Sequence, residues 1–325
     1  MPVLPGSDPD ALARAARRLA EGGLVAFPTE TVYGLGARAD DDAAVAGIFA
    51  AKGRPSDHPL IVHVVDAAAA DAFCSDPGPV ARRLMARFWP GPLTLILPRR
   101  PGVAGAAAGG QDSIGLRCPA HPLAHALLQA AAREGVAGVA APSANRFGRI
   151  SPTRAAHVHD EFGDALLVLD GGDCPVGIES TIVDCTRMPP ALLRPGGVVR
   201  TEIEAVLGAP LAAPDAGRPR ASGTLESHYA PQARLRLFDA AAMREALAAE
   251  KMLHTVAVYS RSLPSAPGSA AFHRMPDTAE AAAHELFAVL RELDASGATA
   301  IWVERPPAGP SWDGVEDRLR RAAAA

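Results

Sequence analysis

The sequence has little lysine, few aromatic residues and a small net charge. Only two of the 325 residues are lysines, Lys52 and Lys251, so 30 of the 32 basic side chains are arginine. Aromatic residues make up 5% of the chain, and the formal net charge is −4. A protein whose main role is to bind RNA needs a basic surface with interleaved aromatic rings. This composition argues against that role, so any RNA contact would be a local patch.

Cysteine pairs and long apolar runs are also missing. The four cysteines form no C-x-x-C pair and no close cysteine–histidine spacing, which argues against a zinc site and a disulfide framework. No apolar stretch reaches the ~18 residues of a membrane helix. The first ten residues have neither the basic region nor the apolar region of a secretory signal. We therefore expect a reduced, cytoplasmic protein that makes no membrane contact.

Several catalytic motifs are absent as well. The chain contains no G-x-G-x-x-G, no P-loop and no G-x-S-x-G nucleophile elbow, and paired acids for hydrolysis are not evident. Neither a dinucleotide fold signature nor a serine nucleophile is therefore indicated.

Residues 24–65 combine apolar segments with a hydroxyl-rich turn and a basic loop. The apolar run 24–27 predicts a strand, followed by a turn rich in threonine and glycine and a short helix closed by Gly53. Four basic side chains then lie within twelve residues: Lys52, Arg54, His58 and His63. Strand, turn, helix, basic loop and strand in this order are typical of an α/β site for an anionic small molecule, because turn N–H groups and cations converge beyond the strand ends.

Two of these basic residues have alternative interpretations. Lys52 offers a compact charge suited to phosphate, but a lysine that ends a helix beside glycine is also common and favourable. His63 lies within the apolar strand predicted for residues 60–65, so it is either a core residue or a ligand. Both alternatives stay open at this point.

Polar side chains recur at the ends of predicted strands along the first two thirds of the chain. They are Thr31, Lys52, Arg54, His58, Arg117, Ser143, Asn145, Ser151, Ser180 and Arg194. Such an excess of cations and hydroxyls without a nucleophile indicates electrostatic catalysis on a phosphate-bearing substrate. In the loop 141–153, Ser151 or Thr153 is alternatively the cap of the next helix. Thr201-x-x-Glu204 has the pattern of a capping box.

The length of the chain predicts two domains. The catalytic domain is predicted for residues 1–208. Residues 209–232, rich in proline, alanine, glycine and serine at their start, are predicted to be a linker. Residues 233–325 alternate strands (234–238, 254–259, 299–303) with helices, which predicts a small parallel-sheet α/β domain.

Six ordered motifs resemble one known family. FPTETVYGLG, KGRPSDHPLIVHV, APSANRFGRISPT, GIESTIVD, LLRPG and HYAP are similar to the motifs of the YrdC-like threonylcarbamoyl-AMP synthases, in the long form with a C-terminal extension. The resemblance implies a twisted mixed sheet around a basic concave cavity, followed by a small Rossmann-like domain.

The resemblance also implies an activity. L-threonine, bicarbonate and ATP would be converted to L-threonylcarbamoyl-AMP and pyrophosphate, the first step towards threonylcarbamoyladenosine in tRNAs that read ANN codons. Mg²⁺ would accompany ATP. The product would pass to a threonylcarbamoyl transferase by transient hand-over, and tRNA contact would be weak or indirect.

Carried over residue by residue, the family's site falls on three sets of positions. Lys52 and Arg54 would be catalytic, and no protein metal ligand is implied. The threonine set is Thr31, His63, Arg117, Ala141 and Ser180. The ATP set is Arg54, His58, Ser113, Ser143, Asn145, Ser151, Arg194 and Tyr229. Tyr229 lies in the linker predicted to close on the site, where ASGTLESHYAP departs from the family's proline–glycine entry to this motif.

Two other functions compete with this one. The first is a carbamoyl transferase that acts on a carbamoyl-adenylate, as in hydrogenase maturation. Such chains carry acylphosphatase, zinc-finger or kinase-like modules, which this sequence lacks. The second is a non-enzymatic RNA-binding protein, which the charge and the aromatic content disfavour.

Overall fold

The computed structural model describes residues 3–215 and 217–325. The chain forms two compact units. The first comprises the described residues up to Phe147 together with Ser151–Thr224, and the second comprises Gly148–Ile150 and Leu225–Ala325. None of the helices described has both the length and the apolar character needed to span a membrane.

The first unit contains a ten-stranded mixed sheet. Its strands are β1 (Val3–Pro5), β2 (Val25–Pro28), β3 (Tyr33–Arg38), β4 (Ile61–His63), β5 (Leu93–Pro98), β6 (Ser113–Arg117), β7 (Val139–Ala140), β8 (Leu167–Asp170), β9 (Thr181–Asp184) and β10 (Ala191–Arg194). Their order across the sheet is β1-β8-β2-β3-β7-β4-β6-β5-β9-β10. Strand β6 pairs in parallel with β4 and antiparallel with β5, so the sheet is mixed as the resemblance implied.

Helices cover both faces of this sheet. They are α1 (Pro9–Ala20), α2 (Asp42–Lys52), α3 (Gly78–Phe88), α4 (Pro122–Arg133), α5 (Ala155–Phe162) and α6 (Arg200–Leu207). Successive residues of β2 point to opposite faces: Val25 packs in the core formed with α1 and α4, whereas Ala26 packs in the core that includes residues of α2, α3 and α5. Because both faces are buried, the strands read as apolar runs.

Local signals in the sequence account for the first two helices. Asp8 caps α1 by accepting a hydrogen bond from the N–H of Asp10, and Pro9 occupies the first turn. Asp41 caps α2, and Gly53 ends it in the left-handed region at φ +64°.

Three segments differ from their sequence patterns. The apolar segment 136–141 forms a strand only at β7, because the N–H of Val136 still donates to the carbonyl of Ala131 at the end of α4. The capping box at Thr201 does not form: α6 begins after Val199 without a side-chain cap, and Glu204 instead accepts from Leu211 N–H at 2.9 Å. Neither serine nor threonine caps α5, which follows Arg154.

The early part of the predicted linker packs on the first unit. The backbone N–H of Ala212 donates to the carbonyl of Pro190 at 2.9 Å. Arg220 forms an ion pair with Asp57 at 3.0 Å, and its N–H donates to Gln111 at 2.8 Å. Ala212 and Arg220 are therefore held on the first unit by specific contacts.

The second unit contains a four-stranded sheet in which all neighbours are parallel, which confirms the predicted parallel-sheet domain. Its elements are β11 (Arg234–Phe238), α7 (Ala240–Ala249), β12 (Val256–Ser260), β13 (Ala271–Arg274), α8 (Ala279–Asp294), β14 (Ala300–Glu304) and α9 (Asp313–Ala323), with strand order β11-β14-β12-β13. The edge strand β13 was not predicted, because its residues are only partly buried and lack an apolar alternation.

A buried acid on α9 ties the second unit together. Asp317 accepts hydrogen bonds from Arg321 at 3.0 Å and from the fully buried Arg318 at 3.2 Å. Burial alone would raise the pKa of Asp317 and is the largest single effect. The positive charges of Arg318, Arg321 and Arg320 together outweigh it, so the pKa is lowered.

We predict that Asp317→Asn destabilises the second unit by about 3 kcal/mol, because it removes the negative charge that faces two buried guanidinium groups. An acid whose pKa is lowered by folding stabilises the protein above its unfolded pKa of about 3.9, and this contribution is lost as pH falls through the lower folded value. Thermal unfolding of the full chain at neutral and acid pH should show the difference between parent and variant shrinking in acid. Asp277→Asn, at an exposed ion pair, is the control, with a loss below about 1 kcal/mol.

A second prediction concerns the close approach of two chain segments after β10. A Cβ atom at Gly196 would lie 2.3 Å from the carbonyl oxygen of Glu179, whereas one at Gly105 would meet nothing within 4 Å. Gly196→Ala should therefore cost about 1–3 kcal/mol as an overpacked site, and Gly105→Ala should leave the melting temperature almost unchanged. Equal melting temperatures for the two variants would contradict this packing.

Candidate active site

The turn between β2 and β3 supplies a buried hydroxyl cluster. The hydroxyl of Thr29 accepts from the N–H groups of Thr31 and Val32, both at 3.2 Å, and donates to the carbonyl of Val32 at 2.7 Å. The hydroxyls of Thr29 and Thr31 lie 2.8 Å apart. These bonds satisfy the backbone of a tight turn and fix the Thr31 hydroxyl in the interior.

Arg117, at the end of β6, lies beside this turn. Its Nη1 donates to the hydroxyl of Thr31 at 2.9 Å and its Nε to the carbonyl of Gly91 at 3.2 Å. Its Nη2 lies 2.8 Å from a carboxylate oxygen of Glu30. The guanidinium is buried, so it is held in one orientation by three chain segments. A planar cation fixed in this way is suited to bind a carboxylate.

His63 is the direct neighbour of Arg117 across the parallel strand pair β4·β6. Its imidazole is almost completely buried, and the edge-on ring of Phe27 lies 6.3 Å away. Burial, with a smaller effect of the charge on Arg117, lowers its pKa to about 3. The ring is therefore neutral near neutral pH. The predicted role in binding threonine stays a prediction.

Ser180 and Arg194 form a second group. The hydroxyls of Ser180 and Thr94 lie 2.8 Å apart. Arg194 donates from Nε and Nη2 to the carbonyl of Ser180 at 3.1 and 2.8 Å, and from Nη1 to the carbonyl of Ser222 at 2.8 Å. Arg194 thus joins β10, the start of β9 and the segment before Thr224.

The loop after β7 runs along β3. The N–H of Ala141 donates to the carbonyl of Ile61 at 2.9 Å, and a bridge pairs Gly34 with Ser143. A Cβ atom on Gly34 would lie 3.1 Å from Cβ of Ala141, so glycine allows this close approach. Ala141 therefore lies against the start of β3, close to the turn that carries Thr31. Its predicted backbone role stays a prediction.

Lys52 holds the same loop from the end of α2. Its buried Nζ donates to the carbonyl of Ser143 at 2.6 Å and to the carbonyl of Asn145. Burial, followed by the charge of Arg54, lowers the pKa of the ammonium group well below its usual value. Lys52 is thus a buried group at the loop. Its predicted contact with phosphate stays a prediction.

Arg54 and His58 lie around the ring of Phe147. Arg54 donates from Nη2 to the carbonyl of Pro59 at 3.0 Å, and its guanidinium carbon is 5.7 Å from the ring centre of Phe147. The rings of His58 and Phe147 are 5.5 Å apart. Burial and the charge of Arg54 lower the pKa of His58, so this imidazole is also neutral near neutral pH.

Ser113 and Ser151 occupy separate places in the first unit. Ser113 begins β6 and lines a small cavity with Ile61 and Ser222. The hydroxyl of Ser151 donates to the carboxylate of Glu179 at 2.5 Å. Glu179 directly precedes Ser180, so this bond connects the loop after β7 to the second group.

Tyr229 belongs to the second unit. Its buried ring contacts the ring of His228 at a centroid distance of 4.2 Å and that of Phe287 on α8 at 5.4 Å. The guanidinium of Arg318 lies 5.5 Å from the ring centre. These contacts hold Tyr229 at a positive φ of 65°. Its predicted contact with ATP stays a prediction from the resemblance.

Sequence reasoning missed three buried polar residues. Glu30 and Glu179 lie within the motifs that carry the resemblance, and Thr94 lies in an apolar strand. Each of the two acids directly precedes a predicted threonine-binding residue, Glu30 before Thr31 and Glu179 before Ser180, and this position was the available signal. Thr94 gives no such signal, because threonine is ordinary in a strand.

Taken together, the first unit holds buried or half-buried cations next to hydroxyls and backbone carbonyls. Within residues 3–215 and 217–325, no three histidine, cysteine or acidic side chains gather in a way that could hold a metal ion. The arrangement fits anionic small molecules, because hydrogen bonds hold the basic side chains in place. These side chains are Lys52, Arg54, Arg117 and Arg194.

Two families match the chain. The family described as "Telomere recombination" matches residues 17–196, and the family described as "Threonylcarbamoyl-AMP synthase, C-terminal domain" matches residues 198–324. Together the matches extend over most of the sequence.

Individual proteins are similar over comparable lengths. A threonylcarbamoyl-AMP synthase of Pyrococcus abyssi is 39% identical over 319 residues, which cover 95% of this chain and 92% of that protein. One of Bacillus subtilis is 46% identical over 237 residues, covering 70% of this chain and 66% of that protein. The crystal structure of P. abyssi Sua5 complexed with L-threonine matches with a TM-score of 0.86 and 37% identity, covering 96% of this chain and 94% of that chain. These matches confirm the resemblance indicated by the six motifs: the chain belongs to the YrdC-like family of threonylcarbamoyl-AMP synthases.

Proposed function

We propose that this protein is an L-threonylcarbamoyladenylate synthase, a nucleotidyltransferase that converts L-threonine, bicarbonate and ATP to L-threonylcarbamoyl-AMP and pyrophosphate. The observation that carries the proposal is the buried Arg117, fixed on Thr31 and Gly91, in a chain 39% identical to a threonylcarbamoyl-AMP synthase over 95% of its length. Such a guanidinium is suited to bind the carboxylate of an amino acid.

Threonine binding is assigned to one part of the first unit. Arg117 would bind the carboxylate, and the hydroxyls of Thr31 and Ser180 would offer polar partners. Ala141 would contribute its backbone. His63 is neutral near neutral pH, so it would act through hydrogen bonds of its neutral ring and not through charge. A site built on hydrogen bonds rejects analogues that lack the matching groups.

ATP binding is assigned to the basic loop and the segments next to it. Arg54, Arg194 and Lys52 would neutralise the triphosphate, with His58, Ser113, Ser143, Asn145 and Ser151 around the nucleotide. Tyr229 is the remaining predicted ATP residue. Mg²⁺ would arrive with ATP and reduce the charge on its phosphates. Serine hydroxyls and the buried carboxylate of Glu179 are oxygen donors of the kind that Mg²⁺ prefers.

The reaction then needs no protein nucleophile. The neutral amine of threonine adds to CO₂ derived from bicarbonate and releases a proton to solvent, and the carboxylate of the carbamate formed attacks the α-phosphorus of ATP. The bond from this phosphorus to the bridging oxygen breaks, and pyrophosphate leaves. Arg117 would hold the amino acid, and the cations of the ATP site would offset the charge that develops on the phosphates.

The place of the enzyme in the cell follows from its product. A mixed anhydride of a carbamate and AMP is reactive in water, so we expect transient hand-over to a threonylcarbamoyl transferase that acts on tRNA. Direct tRNA contact would be weak or indirect, and the cytoplasm stays the expected location. Carbamoyl transfer from a carbamoyl-adenylate is the second candidate, because it uses similar groups.

We predict that pyrophosphate release from Mg–ATP requires both threonine and bicarbonate. The substrates are omitted one at a time, in CO₂-depleted buffer for the bicarbonate arm. Release that depends on both supports the synthase. Release with threonine alone would indicate direct adenylation of the amino acid, and no release from folded protein would favour the carbamoyl-transfer alternative.

A second prediction concerns Lys52. Lys52→Ala should lower turnover by about 10²-fold, the scale for loss of one key electrostatic donor, because it also leaves the carbonyls of Ser143 and Asn145 without their donor. The exposed Lys251 is the other lysine of the chain, so Lys251→Ala is a matched control and should turn over like the parent. A near-parental rate for Lys52→Ala would exclude its assignment as a catalytic residue.

A further inference from the structure

Threonine is a zwitterion near neutral pH, but the proposed threonine set contains no anion. Arg117 supplies a positive charge for the carboxylate, and His63 is neutral because its pKa is lowered to about 3. The ammonium group lies roughly 2.5 Å from the carboxylate carbon in any α-amino acid. In a threonine bound through Arg117 it must therefore lie close to this guanidinium, where a second positive charge without a negative partner would be costly.

Glu30 provides a negative charge at this point. Its side chain follows Thr29 in the β2–β3 turn, and the residue is 6% exposed. One carboxylate oxygen lies 2.8 Å from Nη2 of Arg117. This contact is an ion pair without hydrogen-bond alignment, and neither carboxylate oxygen of Glu30 has a hydrogen-bond partner among the residues described. A buried carboxylate in this state has the capacity to accept hydrogen bonds from a ligand.

The contacts of Arg117 leave N–H donors for a second carboxylate. A guanidinium has five N–H donors. The Thr31 hydroxyl and the Gly91 carbonyl each use one, and the approach of Glu30 occupies a third. Two donors then remain, which is the number that a bidentate carboxylate needs. Glu30 and the carboxylate of threonine therefore do not have to displace each other.

We propose that Glu30 is the receptor for the α-ammonium group of threonine, so that the pocket pairs one cation and one anion with the two charges of an amino acid. This inference rests on the proposed function and names a residue that the predicted site lacks. Glu30 would touch the substrate directly. Glu30 would thereby distinguish an amino acid from a hydroxy acid or a fatty acid of the same shape, because these carry the carboxylate but lack the ammonium group.

Binding measurements on the full chain test this inference. Isothermal titration compares L-threonine with 3-hydroxybutanoate, which has hydrogen in place of the ammonium group. The parent should prefer threonine by about 10–100-fold, the range for one charge-assisted hydrogen bond. Glu30→Gln should lose most of that preference. Its affinity for 3-hydroxybutanoate should equal or exceed that of the parent, because the removed carboxylate also offsets the charge of Arg117. Glu134→Gln, at an exposed site, is the matched control and should behave like the parent.

Other outcomes would overturn the inference. If Glu30 acts only by orienting Arg117, Glu30→Gln should weaken both ligands by the same factor. An unchanged preference in Glu30→Gln would also exclude the role. Should that variant fail to fold, Glu30→Asp keeps the charge and should retain part of the preference. A parent preference below about threefold would overturn the inference without any variant.

Steady-state kinetics give an independent readout. The ammonium charge disappears once the carbamate forms, so Glu30 stabilises the bound substrate more than the later states. Glu30→Gln should therefore raise KM for threonine at least tenfold with a smaller change in kcat. Failure of the proposed function is distinguishable: threonine binding without pyrophosphate release would overturn only the synthase. A parent that does not bind threonine would overturn both.

Discussion

The compensation of the buried charge on Arg117 determines much of the arrangement of the first unit. A buried guanidinium is costly in free energy unless its donors are satisfied and its charge is offset. Thr31 and Glu30 meet these needs from the β2–β3 turn, and Gly91 does so from the segment before β5. The β2–β3 turn and the segment before β5 are therefore fixed around one cation at the end of β6.

Lys52 is compensated in a different way. Its ammonium group donates to backbone carbonyls of Ser143 and Asn145, which carry no net charge. Carbonyl partners satisfy these donors without a negative charge, whereas Arg117 has the carboxylate of Glu30 beside it. The two cations are thus buried in different electrostatic surroundings.

The second unit uses charge for its own stability. Asp317 offsets the charges of the guanidinium groups of Arg318 and Arg321 inside the unit. The ring of Tyr229 lies next to Arg318 and packs on Phe287. Tyr229 is thus held by the contacts of α8 and α9. The helices of the second unit therefore supply the contacts that hold the tyrosine of the HYAP motif.

The sequence alone determined the class of the fold and the outline of the site. Apolar runs, caps and glycines specified α1, α2 and the parallel sheet of the second unit, and six motifs identified the family, because these signals are local in the chain. Only the tertiary structure decided the partners of the buried side chains. Glu30 and Arg117 are 87 residues apart in sequence, and no local pattern encodes a contact over that separation. The missed acids and the failed cap at Thr201 have this one cause: a side chain's partner is set by packing, which the sequence does not display.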